Sequence, residues 1–267
     1  MLGKLIKYEW KACYKVLAAL NLTLVLITVI GCLILQAIPS TEENIFFLAV
    51  LFIMLSALSI SAFNLTTQIY IYFRFYKNLF TAEGYLMHTL PVTPLQLFHS
   101  KLIVGYFWFI VNTLLSFFCL AVLGWASRIF RLENTRTELQ FLFQYTIGGS
   151  PGKFILLLLA ATLASGFSSI LMGYLSILLG QLVEKYKLGA AIGFYIALYL
   201  VSQVLSSLLM IIPTTFMAVA DDMGFYGEFA SCFYGNLLLW LIAAWVLFGC
   251  AYYAACFFLA RRRVNLD

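Results

Sequence analysis

Long apolar runs separated by short polar stretches dominate this chain. Charged and polar residues bound six such runs, which cover 16–37, 45–72, 102–126, 154–183, 188–212 and 234–260. At about 1.5 Å per residue, each run is long enough to cross a hydrocarbon layer about 30 Å thick. The second and fourth runs exceed the roughly 20 residues that a perpendicular helix needs, so we expect those helices to tilt or to project beyond the bilayer. The pattern predicts six transmembrane helices.

The composition excludes a water-soluble domain. Of the 267 residues, 64% are hydrophobic and 10% are charged, and the mean hydropathy is +0.99. A soluble domain of this size has no core large enough to hide that much apolar surface. We therefore predict an all-α integral membrane protein in which residues 1–267 form a single transmembrane domain.

The distribution of Lys and Arg predicts an orientation in the membrane. If the N-terminus is cytosolic, all 16 basic residues lie on the cytosolic side except Arg128, Arg131, Arg136 and Lys153. Cytosolic loops of membrane proteins carry the excess of Lys and Arg. Both termini are therefore predicted to be cytosolic, together with residues 73–101 between the second and third spans. The exceptions cluster around the external segment 127–151, whose role the pattern leaves open.

The residues ahead of the first span, 1–15, have an amphipathic helical pattern. The lysines share one face and apolar residues share another: Lys4, Lys7, Lys11 and Lys15 against Leu2, Ile6, Trp10, Cys13 and Leu17. A helix of this kind lies in the headgroup layer, with its lysines near anionic lipid and its tryptophan at the interface. The pattern predicts an N-terminal elbow helix, and an ordinary basic anchor without a mechanical role fits it equally well.

The interiors of the six runs contain no Asp, Glu, Lys, Arg or His. Ion-coupled transporters and proton pumps use an ionisable group at depth, and intramembrane proteases need there either His and carboxylate metal ligands or a serine with a histidine to activate it. The pattern therefore argues against these classes and offers no catalytic residue and no metal ligand. Asn64 and Gln68, four residues apart, could line a polar path, although hydrogen bonding between helices is the commoner use of such residues.

A polar and aromatic insert, 81-TAEGYLMHTLPVTPLQLFHSK-101, separates the second and third runs. Thr81 can cap a short helix that must end at Leu90–Pro91, because proline removes a backbone donor and disfavours helix at the preceding residue. Thr93 and Gln96 then form a capping box around Pro94, so the third helix is predicted to begin there. The residues alone allow either a stiff helical knob in the cytosol or an interfacial helix at the lipid boundary.

A longer run around the insert, 78-NLFTAEGYLMHTLPVTPLQLFHSKLI-103, has E-G-Y-L, T-L-P-V-T and S-K elements. It resembles the segment between the second and third spans in bacterial permease subunits of type-2 ABC transporters. The basic elbow, six spans, cytosolic termini and lack of a nucleotide-binding motif fit that family along the whole chain. In the family the insert is a short cytosolic coupling helix that docks on a separate ATPase subunit. The resemblance implies this role for Glu83, Gly84, Tyr85, Leu86, Thr89, Leu90 and Pro91.

The resemblance also implies the partners of the chain. It would work in the bacterial cell membrane beside a second permease subunit, alike or different, and export a hydrophobic or amphipathic peptide, lipid or drug. ATP and Mg²⁺ would bind the partner ATPase, so this chain would hold no cofactor and no ATPase site. Short re-entrant external helices, which the family has between its last two spans, are expected in 213–233. The segment 127–151 departs from the better-known members.

Two other functions fit the residues. A membrane scaffold or accessory protein without transport activity would use the insert to recruit a cytosolic partner unrelated to ATP. A secondary transporter would have to rely on Asn, Gln and backbone carbonyls alone. No residue pattern names the substrate.

Overall fold

A computed structural model of the protein describes residues 2–37, 42–81, 92–126, 151–183, 185–222 and 226–262. Within these ranges the chain forms α-helices and no strand. The six helices are α1 (Leu2–Ala37), α2 (Glu42–Phe80), α3 (Pro94–Ala126), α4 (Pro151–Gly180), α5 (Lys187–Asp222) and α6 (Tyr226–Arg262). All six are long and apolar enough to cross a membrane. The predicted all-helical architecture with six membrane-spanning helices is confirmed to that extent.

The first helix, α1, runs without a break through the expected elbow. It has 36 residues, which corresponds to about 54 Å, well beyond the roughly 30 Å of a hydrocarbon core. Neither glycine nor proline occurs between Lys4 and Ile30, so no residue in this stretch favours a bend. A separate elbow helix is therefore not seen, and residues 2–15 form the first turns of α1. The two predicted faces are present: the four lysines are exposed, while Cys13 and Leu17 are buried.

Contacts divide the chain into two compact units, and the division falls inside α2 and inside α3. The first unit comprises Met1–Arg74 and His99–Leu139, and the second comprises Phe75–Phe98 and Gln140–Asp267.

Among the described residues of the first unit, two apolar clusters involve α1, α2 and α3. One cluster consists of Cys13, Leu17, Val104 and Trp108, with Tyr70 packed against it. The other consists of Leu24, Leu35, Ile60, Cys119 and Leu123.

The second unit packs around α4, whose residues Ile170, Leu171 and Tyr174 are almost completely buried. The helix is joined to α6 by a hydrogen bond from the Ser168 hydroxyl to the Trp245 carbonyl. It also approaches α5 closely: a Cβ added to Gly180 would lie 2.7 Å from the Cβ and 2.8 Å from the Cα of Ala191. Only glycine fits at this crossing, as expected where helices associate through small residues.

A tight connection joins α4 to α5 and passes through Tyr186. This residue is 90% exposed and adopts φ 58°, a left-handed conformation that residues with a side chain rarely take. Its carbonyl accepts a hydrogen bond of 2.9 Å from the amide of Ala190, in the first turn of α5.

Several sequence predictions fall partly or wholly outside the described residues. The coupling residues Glu83 to Pro91 and the external residues 127–150 lie outside. In the expected re-entrant segment 213–233, α5 continues through Pro213 to Asp222 and α6 begins at Tyr226. A re-entrant course there stays a prediction.

Candidate functional site: the stems of the insert

The candidate site consists of two helical stems, the end of α2 and the start of α3, which flank residues 81–93 of the insert. We call them the α2 stem, residues 74–80, and the α3 stem, residues 94–101. The structure describes the chain up to Thr81 and again from Val92, so both stems lie within the described residues.

Glu9 of α1 binds both stems through an ionic triad with Arg74 and Lys101. Its Oε1 accepts a hydrogen bond of 2.8 Å from Arg74 Nε, and its Oε2 accepts one of 3.0 Å from Lys101 Nζ. Arg74 also donates from Nη1 to the carbonyl of Ala12, at 3.1 Å. One turn of α1 is thereby fixed to α2 and α3 at once.

The members of the triad are largely removed from solvent. The side chains of Glu9, Arg74 and Lys101 are 9%, 19% and 3% exposed. Burying such charges is unfavourable unless each one meets opposite charge and good hydrogen-bond geometry. Because two cations share one carboxylate, loss of Glu9 would leave both without this partner, and the triad therefore specifies one register of the three helices.

In the second unit an aromatic trio joins α2, α3 and α4. Phe75 of the α2 stem stacks on Tyr174 of α4, with ring centroids 3.9 Å apart and planes at 11°. Phe98 of the α3 stem meets Phe75 edge-on at 6.3 Å and Tyr174 at 6.2 Å. All three residues are at most 3% exposed. Offset-stacked and edge-to-face arrangements are the favourable ones for aromatic rings.

The start of the α3 stem is a capping box, as predicted. The amide of Gln96 donates to Thr93 Oγ1 at 3.4 Å, and the amide of Thr93 donates to Gln96 Oε1 at 3.3 Å. Pro94 occupies the first helical position, where its missing donor is not needed. The prediction that the third helix begins at this point is confirmed.

At the end of the α2 stem, Thr81 has a different role from the expected one. Its hydroxyl donates back to the carbonyl of Lys77, one of the last carbonyls of α2 that have no partner within the helix. Thr81 therefore closes α2. The short helix that it was expected to open lies in residues outside the described ranges.

Trp10 lies on the apolar side of α1, as the pattern predicted. It is 36% exposed, and its ring packs on α3, 4.7 Å from the ring of Phe107 and 5.2 Å from that of Trp108. Trp10 therefore adds an aromatic contact beside the triad, while Lys4, Lys7, Lys11 and Lys15 remain exposed on the other face.

Asn64 takes part in hydrogen bonding between α2 and α3. It donates to Ser116 Oγ at 3.0 Å, and its Oδ1 accepts from Asn112 Nδ2 at 2.6 Å. Hydrogen bonding between helices was the commoner of the two uses considered for this residue. A path-lining role for Asn64 and for half-buried Gln68 stays a prediction.

Sequence reasoning missed the triad, although one signal pointed to it. Glu9 is the only acidic residue before Glu42. At 100° per residue it falls on the side of α1 opposite the four lysines. An isolated carboxylate facing away from its own helix's cations indicates partners on another helix, but the sequence alone does not show which residues they are.

Comparisons with family models, with curated proteins and with solved structures found no match.

Within the described ranges, no group of three or more His, Cys, Asp or Glu side chains could hold a metal ion. Within the first unit the ionic triad joins α1 to α2 and α3, and within the second unit the aromatic trio joins Phe75 and Phe98 to Tyr174 of α4.

Proposed function

We propose that this chain is the membrane-spanning permease subunit of a bacterial ABC transporter. The observation that carries the proposal is the anchoring of both stems of the insert. The α2 stem is held by Glu9 through Arg74 and by Tyr174 through Phe75. The α3 stem is held by Glu9 through Lys101 and by Tyr174 through Phe98.

Anchored stems suit an element that receives force. A load applied to a loop on flexible stems would be lost in bending, whereas α2, with 39 residues, and α3, with 33, are continuous helices. In the proposed mechanism, ATP-driven closure of two ATPase subunits pushes on residues 81–91. The stems pass this displacement into α2 and α3, and a path opens between two permease subunits.

The charge distribution supports the rest of the proposal. With both termini on the cytosolic side of the bacterial plasma membrane, the insert faces the ATPase. The exposed lysines of residues 4–15 then face the anionic headgroups. The apolar runs carry no charged side chain, which suits a hydrophobic or amphipathic substrate. ATP and Mg²⁺ belong to the partner subunit, and this chain contributes the membrane path.

A pull-down tests the proposal. The tagged protein is purified in mild detergent from its own host, beside a variant carrying Glu83→Arg and Tyr85→Ala in the insert. We expect an ATP-binding subunit to co-purify with the wild type and to be lost from this variant.

A matched control carries Glu184→Arg and Tyr186→Ala, the same two exchanges in the loop that the topology puts on the same side of the membrane. This control should retain the ATPase, and all three proteins should elute as single peaks in size-exclusion chromatography. An ATPase absent from the wild type, or retained by the folded insert variant, contradicts the proposal and favours a scaffold that recruits another partner.

A further inference from the structure

Three buried polar atoms in the first unit have no hydrogen-bond partner among the described residues: Asn21 Oδ1, Thr67 Oγ1 and Trp108 Nε1. They come from three different helices, α1, α2 and α3. Their residues are 9%, 1% and 8% exposed. A buried polar atom without a partner is unfavourable, and inside a bilayer no solvent is at hand to satisfy it.

Thr67 is unusual among the hydroxyl residues of its helix. The hydroxyls of Ser56, Ser59, Ser61 and Thr66 each donate to a carbonyl three or four residues earlier in α2. The same bond is open to any helical threonine, yet the Thr67 hydroxyl does not make it. Its oxygen therefore remains available to a partner outside the helix.

The helical repeat places the three residues on helix faces that meet in the first unit. Trp108 belongs to the buried cluster that contains Leu17, and Tyr70 packs against that cluster. Asn21 follows Leu17 by one turn of α1, and Thr67 precedes Tyr70 by one turn of α2, so both belong to the helix faces that meet Trp108. The Asn64–Asn112 hydrogen bond continues the same faces by one further turn.

The chemistry of the atoms is complementary, but they do not bond one another. The indole N–H only donates, the amide oxygen only accepts, and the hydroxyl does both. The Asn21 amide nitrogen already donates to the Leu17 carbonyl, at 3.0 Å. A neutral molecule that both donates and accepts would satisfy all three, and buried water typically makes about three such bonds to otherwise unsatisfied groups.

We propose that α1, α2 and α3 enclose a small group of ordered water molecules that bridge Asn21, Thr67 and Trp108. The first unit then contains a polar seam that extends from this water to the Asn64–Asn112–Ser116 network. The inference concerns the packing of one unit and does not depend on the proposed transport function.

The sign of a stability change tests the proposal. Thr67→Val replaces the hydroxyl with a methyl group of nearly the same shape. If water binds the hydroxyl, the substitution lowers the thermal midpoint in detergent, by about 2–4 °C. If the hydroxyl is dry and unsatisfied, its removal leaves the midpoint unchanged or raises it. Thr66→Val is the matched control, because Thr66 is the neighbouring exposed residue, and its midpoint should stay within about 1 °C of the wild type.

A second measurement decides the matter if Thr67→Val does not fold. Hydroxyl-radical footprinting of the intact wild type oxidises side chains that touch water. We expect Trp108 to be oxidised at least about 5-fold faster than Phe109, its equally buried neighbour on α3, after correction for the intrinsic reactivity of the two rings. Equal corrected rates, or a midpoint for Thr67→Val at or above that of the wild type, overturn the proposal.

Discussion

The carboxylate of Glu9 lies 3.0 Å from the ammonium nitrogen of Lys101, although the two residues are 92 positions apart. The same carboxylate bonds Arg74, from a third helix. Glu9→Gln removes the negative charge and leaves two cations without it, one of them almost fully buried. We expect the free energy of unfolding to fall by about 3–5 kcal/mol, measured as a lower thermal midpoint in detergent.

The control for Glu9→Gln is Lys11→Gln on the exposed face of α1, which should change the stability by less than about 0.5 kcal/mol. Adding Lys101→Met to Glu9→Gln should restore part of the loss, because the buried ammonium is then gone. A Glu9→Gln protein as stable as the Lys11 control would show that the triad does not hold the three helices.

The stack of Tyr174 on Phe75 predicts a large effect at a single aromatic position. Tyr174→Ala opens a cavity beside both stems and should destabilise the second unit by about 3–5 kcal/mol. Tyr199→Ala, at a tyrosine of α5 that is 51% exposed, should have almost no effect. Thermal unfolding of the two variants in the same detergent compares them directly, and equal midpoints would be the contrary result.

Substituting glycine by alanine should have different effects on stability at a packed helix crossing and on an open helix face. Gly180→Ala places a Cβ 2.8 Å from backbone atoms of Ala191, so the two helices must move apart. We expect the free energy of unfolding to fall by about 1–3 kcal/mol. Around Gly193 an added Cβ meets nothing within 4 Å, and Gly193→Ala should be neutral or stabilise by up to about 1 kcal/mol. Expression level and thermal midpoint would report both, and the prediction fails if Gly193→Ala is the more damaging exchange.

The proposed orientation in the membrane can be tested with topology reporters, which are fusion proteins active on one side of the membrane only. A fluorescent protein that folds only in the cytosol should be bright when fused to either end of the chain. Alkaline phosphatase, which is active only outside the cytosol, should be active when inserted after Glu133. The opposite pattern would put the insert on the far side of the membrane and exclude its docking on a cytosolic ATPase.

The helices themselves were predictable because hydropathy and local capping determine them. The runs of apolar residues located all six, and Thr93, Pro94 and Gln96 fixed the start of α3 within their own four residues. The continuity of α1 was also within reach, since no helix-breaking residue separates Lys4 from Ile30. The basic pattern was compatible with a separate elbow and with a simple anchor, because an interfacial helix and a helix projecting from the bilayer expose lysines in the same way.

The contacts around the stems were not predictable from one sequence. The sequence shows that Glu9 lies opposite the lysines of α1. Predicting that it pairs with Arg74 and Lys101 requires knowing how α1, α2 and α3 are rotated and shifted relative to one another. The Phe75–Tyr174 stack similarly joins residues about a hundred positions apart. Such registers arise from the packing of the whole unit, and aromatic residues in a chain with 25 phenylalanines and 16 tyrosines carry no individual signal.

The contact of Gly180 with Ala191 has a consequence for how this chain can change in length. The contact brings together the two ends of the connection between α4 and α5. The connection passes through Tyr186, which adopts a left-handed backbone conformation. Inserting or deleting one residue there would rotate α5 by about 100° about its axis and replace Ala191 with a different side chain at the crossing. Natural variation in length should therefore be absent between positions 181 and 190, even though the tip of this loop is among the most exposed parts of the described chain.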